Sequence, residues 1–363
     1  MKSFALFRLP HAENCTLIEQ HEGEPLHFQS CRELNGQHGF VLAPFHVSAE
    51  HPILMIRPDQ VQEITLHDLC AQFGGSSFET SQPKAASTSD NTPDRDYAID
   101  FANFHAQLSN GVFRKIVLSR SKELSRDHAV DVRQLFCQAC RLYPRLFIAL
   151  VSLPDGTCWL TATPEILLEG IGSQWRTIAL AGTMQLQGDE LQGEGEHVRW
   201  SAKNIQEQRY VATYISQCLE QFSLDFVEEG PRTVRAANLV HLRSDFTFHL
   251  PDASQVGNLL QALHPTPAVC GLPKHETFEF ILHNEHTPRQ YYSGFMGPLD
   301  LPHVAGISAA SSTHLYVSLR CMQITDSAYR LYAGGGLLKD SLLEQEWQET
   351  EAKMQTMRGL LHP

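Results

Sequence analysis

Between Lys115 and Leu180 the chain spells one short β-type run after another, and this density of strands constrains the fold more than any other feature. Lys115-Ile116-Val117-Leu118-Ser119 is apolar and β-branched. Leu146 to Leu153 and Cys158 to Ala162 follow, joined by Pro154-Asp155-Gly156, a hairpin turn signal. Gly170 to Gly172 separates Glu165-Ile166-Leu167-Leu168 from Trp175 to Leu180. Phe40-Val41-Leu42 and Ile53 to Ile56 read the same way near the start, as do Leu315 to Arg320 and Tyr329 to Ala333 near the end. Two long helical patterns stand out. Val198, Ala202, Ile205, Ala212, Ile215, Leu219 and Phe222 keep helical spacing, and so do Leu343, Trp347, Met354, Met357 and Leu361. Ser341 with Glu344 forms a capping box at the start of the second. Strand clusters interrupted by single helices predict a large α+β layered fold of mainly antiparallel sheets with helices outside.

The chain divides by composition into a β-rich part over 1–73, a polar linker or surface loop over 74–96, and continuous globular sequence over 97–363. Its 28 Lys and Arg against 41 Asp and Glu give a net charge of -13. Such a surface repels nucleic acid and anionic membranes, so an anionic substrate needs a locally positive pocket. No run of about 18 apolar residues predicts a membrane helix, and Met1 to Arg8 does not read as a signal peptide. Nine scattered cysteines suit a reducing cytoplasm. The one CxxC, Cys137 to Cys140, lies in an amphipathic stretch and reads as buried free thiols.

Several polar residues stand where a core does not need them. Glu346, Glu349 and Lys353 share one face of the last helix, beside its apolar stripe. Asn204 and Glu207 lie beside the apolar face of the earlier helix. Each set reads either as a solvated face or, taken together, as carboxylates that hold a hard cation. Lys115 is either a surface lysine or a desolvated one whose pKa falls from about 10.4 towards that of a general base. Glu165 is either an edge carboxylate or a buried acid kept protonated. Ala181-Gly182-Thr183 and Ala333-Gly334-Gly335-Gly336 follow strands and can present backbone N–H groups to a carboxylate. Arg320, placed on a strand, is a rim residue or a bidentate carboxylate clamp. His241, flanked by Val240 and Leu242, is a better site candidate than most of the 19 histidines, none of which sits in a zinc motif.

Taken in order, these segments resemble the chorismate-binding family of isochorismate, salicylate, anthranilate and aminodeoxychorismate synthases. The likeness runs through Lys115 to Arg120, Thr163 to Leu168, Leu180 to Thr183, Lys203 to Glu207, Val240 to Leu242 and His264 to Ala268. It ends with Leu319 to Cys321, Leu331 to Gly336 and Glu346 to Lys353. It covers roughly residues 97–363.

The resemblance implies that Lys115 is the water-activating base and Glu165 the general acid. It implies that Glu207, Glu349 and Glu346 hold Mg²⁺, and that Arg320, Gly334, Lys353, Gly182, Thr183 and His241 contact chorismate. Relatives that use ammonia usually carry Gln at the position of Lys115, and aminodeoxychorismate synthases carry Lys where this chain has Ala181. Asn204 departs from the acidic residue usual there. The expected activity is isochorismate synthase, with no glutaminase subunit and a monomeric chain, serving menaquinone or siderophore biosynthesis. Salicylate synthase, which also eliminates pyruvate, is the nearest alternative. A catalytically silent chorismate-binding regulatory protein is another.

Overall fold

The computed structural model describes residues 2–73, 92–126, 131–185, 198–222, 225–236, 239–250, 253–302, 304 and 311–361. Most of the predicted linker, residues 74–91, lies outside them. Its last two residues, Arg95 and Asp96, open a helix capped by the Asp94 side chain.

Eighteen strands occur among the described residues. They are β1 (Ser3–Arg8), β2 (Asn14–Gln20), β3 (Leu26–Phe28), β4 (Gly39–Ala43), β5 (Ile53–Ile56), β6 (Gln60–Thr65), β7 (Lys115–Ser125), β8 (Phe147–Ser152) and β9 (Cys158–Thr163). The rest are β10 (Ile166–Ile171), β11 (Gln174–Gln185), β12 (Phe226–Ala236), β13 (Leu239–His249), β14 (Gly271–Leu272), β15 (Phe295–Leu299), β16 (Ser312–Val317), β17 (Cys321–Ile324) and β18 (Ala328–Leu337). The helices are α1 (Leu66–Phe73), α2 (Arg95–Ser109), α3 (Val132–Leu142), α4 (Ala202–Gln221), α5 (Val256–Leu263), α6 (Lys274–Asn284) and α7 (Leu343–Arg358).

The strands form two nine-stranded sheets, ordered β14-β7-β18-β17-β9-β8-β1-β2-β6 and β12-β13-β11-β10-β16-β15-β4-β5-β3. Every paired strand in them is antiparallel, as the α+β reading requires. Side chains alternate across each strand, so each sheet has two apolar faces to bury. The inner faces meet through Phe7, Phe40, Phe147, Trp159, Tyr316 and Tyr332. The outer face of the second sheet packs on α4 and α5 through Val211, Ile215, Leu219, Leu259 and Leu263. That of the first packs on α1, α3 and α7 through Leu69, Phe136 and Met354. Each such side chain contributes about 1.5–3 kcal/mol by leaving water, so the layer order helix–sheet–sheet–helix follows from pattern alone.

Several local expectations change. Helix α4 begins at Ala202, capped by Ser201, so Val198 precedes it. Ile205 is 52% exposed, and Gln208 is buried instead, donating to the Ala179 carbonyl and to Ser244. The capping box of α7 is not formed: the N-cap position is Leu342, and Ser341 Oγ accepts from the Leu338 N–H. Strand β16 stops at Val317, and Arg320 sits in a bend with φ 45° rather than on a strand. Gly334, Gly335 and Gly336 lie inside β18, not after it. The nine cysteines are all free and buried, Cys137 and Cys140 on α3 among them. No helix among the described residues is long and apolar enough to cross a membrane.

Candidate active site

The inner core opens at one edge into a cavity of about 60 Å³, walled by β11, β13, β18, α4 and α7. Eight of the expected residues line it: Glu165, Gly182, Thr183, Glu207, His241, Arg320, Gly334 and Lys353. Lys115, Glu346 and Glu349 are not among the lining residues. They stand behind it, each bound to a group of opposite charge.

Glu165 occupies the link between β9 and β10, where its N–H donates to Thr163 Oγ1 and its carbonyl accepts from the Val317 N–H. Its carboxyl is buried. Burial pushes its pKa up to about 7, against the pull of Lys115, Arg320 and Lys353. Of the two readings the sequence left open, an edge carboxylate or a buried one, Glu165 is the buried one.

Gly182 stands at a register shift between β11 and β13, with φ 71°. Such a bulge residue takes a left-handed conformation that glycine adopts without strain. The bulge turns the Gly182 N–H towards Glu207 Oε2, 3.2 Å away. The Gly182 carbonyl lies 3.1 Å from His241 Nδ1. Arg320 Nη2 lies 2.5 Å from His241 Nε2. A guanidinium only donates, so Nε2 accepts and Nδ1 carries the hydrogen. Burial, then Arg320 and Lys353, push the His241 pKa well down, which keeps that ring neutral. Burial also lowers the Arg320 pKa, to about 10. Its Nη1 is buried without a hydrogen-bond partner, a donor suited to a carboxylate.

Three lysine–glutamate pairs surround Gly334, Gly335 and Gly336. Lys115 Nζ, wholly buried, lies 3.0 Å from Glu207 Oε1. Lys203 Nζ lies 2.5 Å from Glu346 Oε1. Lys353 Nζ donates to Glu349 Oε1 at 2.7 Å and to the Gly334 carbonyl at 2.8 Å. The glycines allow this crowding. A Cβ on Gly336 would stand 2.2 Å from Glu207 Oε1, and one on Gly335 would stand 3.1 Å from Glu346 Oε2 and 3.8 Å from Glu349 Oε1.

Among the described residues no three His, Cys, Asp or Glu side chains already converge as a metal-ligand set. The donors nevertheless fit a hard cation. All are carboxylate oxygens, three glutamates approach one glycine stretch, and Glu346 Oε2 is buried with no hydrogen-bond partner. Burial, then the charge of Glu349, raise the Glu346 pKa, the mark of a crowded anionic pair.

Two residues of this site escaped the sequence. Lys203 lies within a recognised segment, but nothing local tells which acid it meets. Tyr292, buried on the cavity wall, belongs to a turn without periodicity. Its hydroxyl would lie 2.8 Å from a Cβ on Gly334, a proximity that only the fold creates.

The fold and site define a layered α+β protein with a buried cavity where a carboxyl, a guanidinium and several carboxylate–lysine pairs meet. A family model described as chorismate binding enzyme matches residues 45–362, and the chain belongs to that family. It is 33% identical over 262 residues to the isochorismate synthase DhbC of Bacillus subtilis, a match covering 69% of this chain and 64% of that protein. It is 31% identical over 256 residues to the isochorismate synthase MenF of Escherichia coli, covering 70% and 57%. These matches span less than two thirds of the relatives' own lengths. The solved structure of the menaquinone-specific MenF from Escherichia coli superposes with a TM-score of 0.78 at 24% identity, covering 100% of this chain and 89% of that one. The fold is therefore that of the isochorismate synthases.

Proposed function

We propose that this protein is an isochorismate synthase, which adds water at C2 of chorismate and expels hydroxide from C4. The observation that carries the reading is Glu165, a buried carboxyl raised to about 7 on the same cavity as Arg320, whose Nη1 has no hydrogen-bond partner. A dianion of two carboxylates suits Arg320 and Lys353, with the Gly182–Thr183 bulge at the ring-carboxylate edge. The similarity to the isochorismate synthases DhbC and MenF supports the same reading.

Lys115 takes the proton of the attacking water, and Glu165 gives its proton to the departing hydroxyl, which leaves as water. Glu207 lines the cavity and pairs with Lys115, which does not, so the lysine acts as a base only after that pair opens and its ammonium passes a proton to Glu207 or to solvent. Glu207, Glu346 and Glu349 would hold Mg²⁺, which when bound supplies positive charge for the ring carboxylate. In this reading the chain acts in the cytoplasm as a monomer without a glutaminase subunit, and serves menaquinone or siderophore biosynthesis.

Incubation with chorismate and Mg²⁺, with products identified by NMR, tests the proposal. Isochorismate without pyruvate is expected. Stoichiometric pyruvate would make the protein a salicylate synthase. Chorismate binding without turnover would make it a silent binding protein.

A further inference from the structure

Next to the catalytic cavity the two sheets part to form a second, larger cleft of about 670 Å³. Pro164 and Leu180 line both. One wall comes from connections of the first sheet, with Leu9 just after β1 and Arg145 just before β8. The other is the inner face of the second sheet. Strand register shows what that face carries. Glu169 is opposite Arg176 and His314, Leu180 is opposite Arg243, and Ile166 is opposite Tyr316. Leu180 and Tyr316 belong to the core between the sheets, so the charged residues point into the same space. Inner faces of stacked sheets are normally apolar. A charged inner face at one end of an otherwise aromatic core is a local conflict of the kind found at functional sites.

The charges are also of one dominant sign. Among the lining residues Arg145, Arg176, Arg235 and Arg243 outnumber one carboxylate, Glu169, while Asp245, on the same face opposite Ile178, engages Arg243. This stands out in a chain of net charge -13. Glu169 is fully engaged, accepting from Arg176 Nε at 2.7 Å, His314 Nδ1 at 3.1 Å and Tyr316 Oη at 2.5 Å. Its partner His314 is 6% exposed and lines the cleft, yet His314 Nε2 is buried without any hydrogen-bond partner. A buried polar atom left this way is destabilising, unless a ligand or water meets it.

We propose that this cleft is a second binding site, for a small organic anion that joins a carboxylate and a ring hydroxyl to an apolar ring. Arginine forks match a carboxylate. Leu9, Pro164, Ile166 and Leu180 offer apolar surface for the ring, and the hydroxyl meets His314 Nε2. The volume lies within the roughly 300–1,000 Å³ typical of small-molecule pockets.

Titration of the full chain with 3-hydroxybenzoate, followed by calorimetry, tests this without relying on turnover. One saturable site per chain is expected at the cleft. Its affinity should survive Arg320→Gln within about twofold and fall about tenfold in Arg176→Gln and in Arg243→Gln. Methyl 3-hydroxybenzoate, which lacks the charge, should not bind there. Absence of saturable binding overturns the proposal. So does binding that Arg320→Gln abolishes and both cleft variants leave intact. Thermal unfolding shows whether each variant is folded. Where one is not, Arg145→Gln, exposed on the opposite wall, replaces it, and unchanged affinity there also overturns the proposal.

Discussion

Lys115 Nζ lies 3.0 Å from Glu207 Oε1, and the lysine side chain is wholly buried. The pair ties the start of β7 to α4 and places a carboxylate between the proposed base and the cavity. Lys115→Ala should therefore do two things. Turnover should fall by roughly 10²–10⁴-fold, the usual contribution of a general base. Stability should fall by about 3–5 kcal/mol, because Glu207 is left buried without its counter-ion. Steady-state rates and denaturant melts check both effects, and near-wild-type turnover at neutral pH would remove Lys115 from the chemistry.

Glu165 predicts a pH profile. Burial raises its pKa to about 7 from the ordinary carboxyl value of 4.5, so the proton-donating form dominates below 7. Turnover limited by this acid falls as pH rises through about 7. The folded state also holds this proton more tightly than the unfolded chain. That contribution to stability is full below 4.5 and is lost as pH rises through about 7. Glu165→Gln should keep chorismate affinity, lose turnover and abolish this limb. A variant that loses affinity along with turnover would assign Glu165 to binding instead.

Gly336→Ala probes the crowding around β18. The added methyl would stand 2.2 Å from Glu207 Oε1 and 3.0 Å from Lys115 Cε. Forcing it in should destabilise the fold by roughly 1–3 kcal/mol and separate the Lys115–Glu207 pair, with a matching loss of rate. Gly111→Ala, at an open position with φ 72°, is the control for backbone strain alone. Equal behaviour of the two variants would show that the space beside Glu207 does not matter.

Magnesium and chorismate should bind with positive coupling, since each supplies charge of the sign the other needs. Glu349→Gln should weaken both together. Glu344→Gln, exposed on another face of α7, should change neither. Calorimetric titration of chorismate with Mg²⁺ and with EDTA decides the matter: equal affinities in both would refute the metal assignment.

The layered antiparallel fold was legible because strand runs, turn residues and helical stripes are local patterns, and burial must satisfy them wherever they occur. The placement of Glu207, Glu346 and Glu349 beside apolar stripes followed from the same periodicity. Arg320 was read as a strand residue because Leu315 to Leu319 is apolar. The reversal after β16, with the Arg320 carbonyl accepting from the Ala162 N–H, depends on β9, a remote strand. Gly334 to Gly336 read as following a strand because glycine weakens strands. They remain in β18 through their pairing with Val117 to Ser119 of β7, and Glu207, Glu346 and Glu349 take the space beside Gly335 and Gly336.

By itself, then, the sequence determined which faces are buried, which helices carry the acids, and the family whose chemistry those segments resemble. Tertiary structure alone decided that Glu207 meets Lys115 and Glu346 meets Lys203, that His241 holds Arg320 through one ring nitrogen, and that a second arginine-lined cleft opens beside the first. Burial is set residue by residue along an element. Charge pairing and pocket shape are set by which distant elements meet, and no local pattern encodes that meeting.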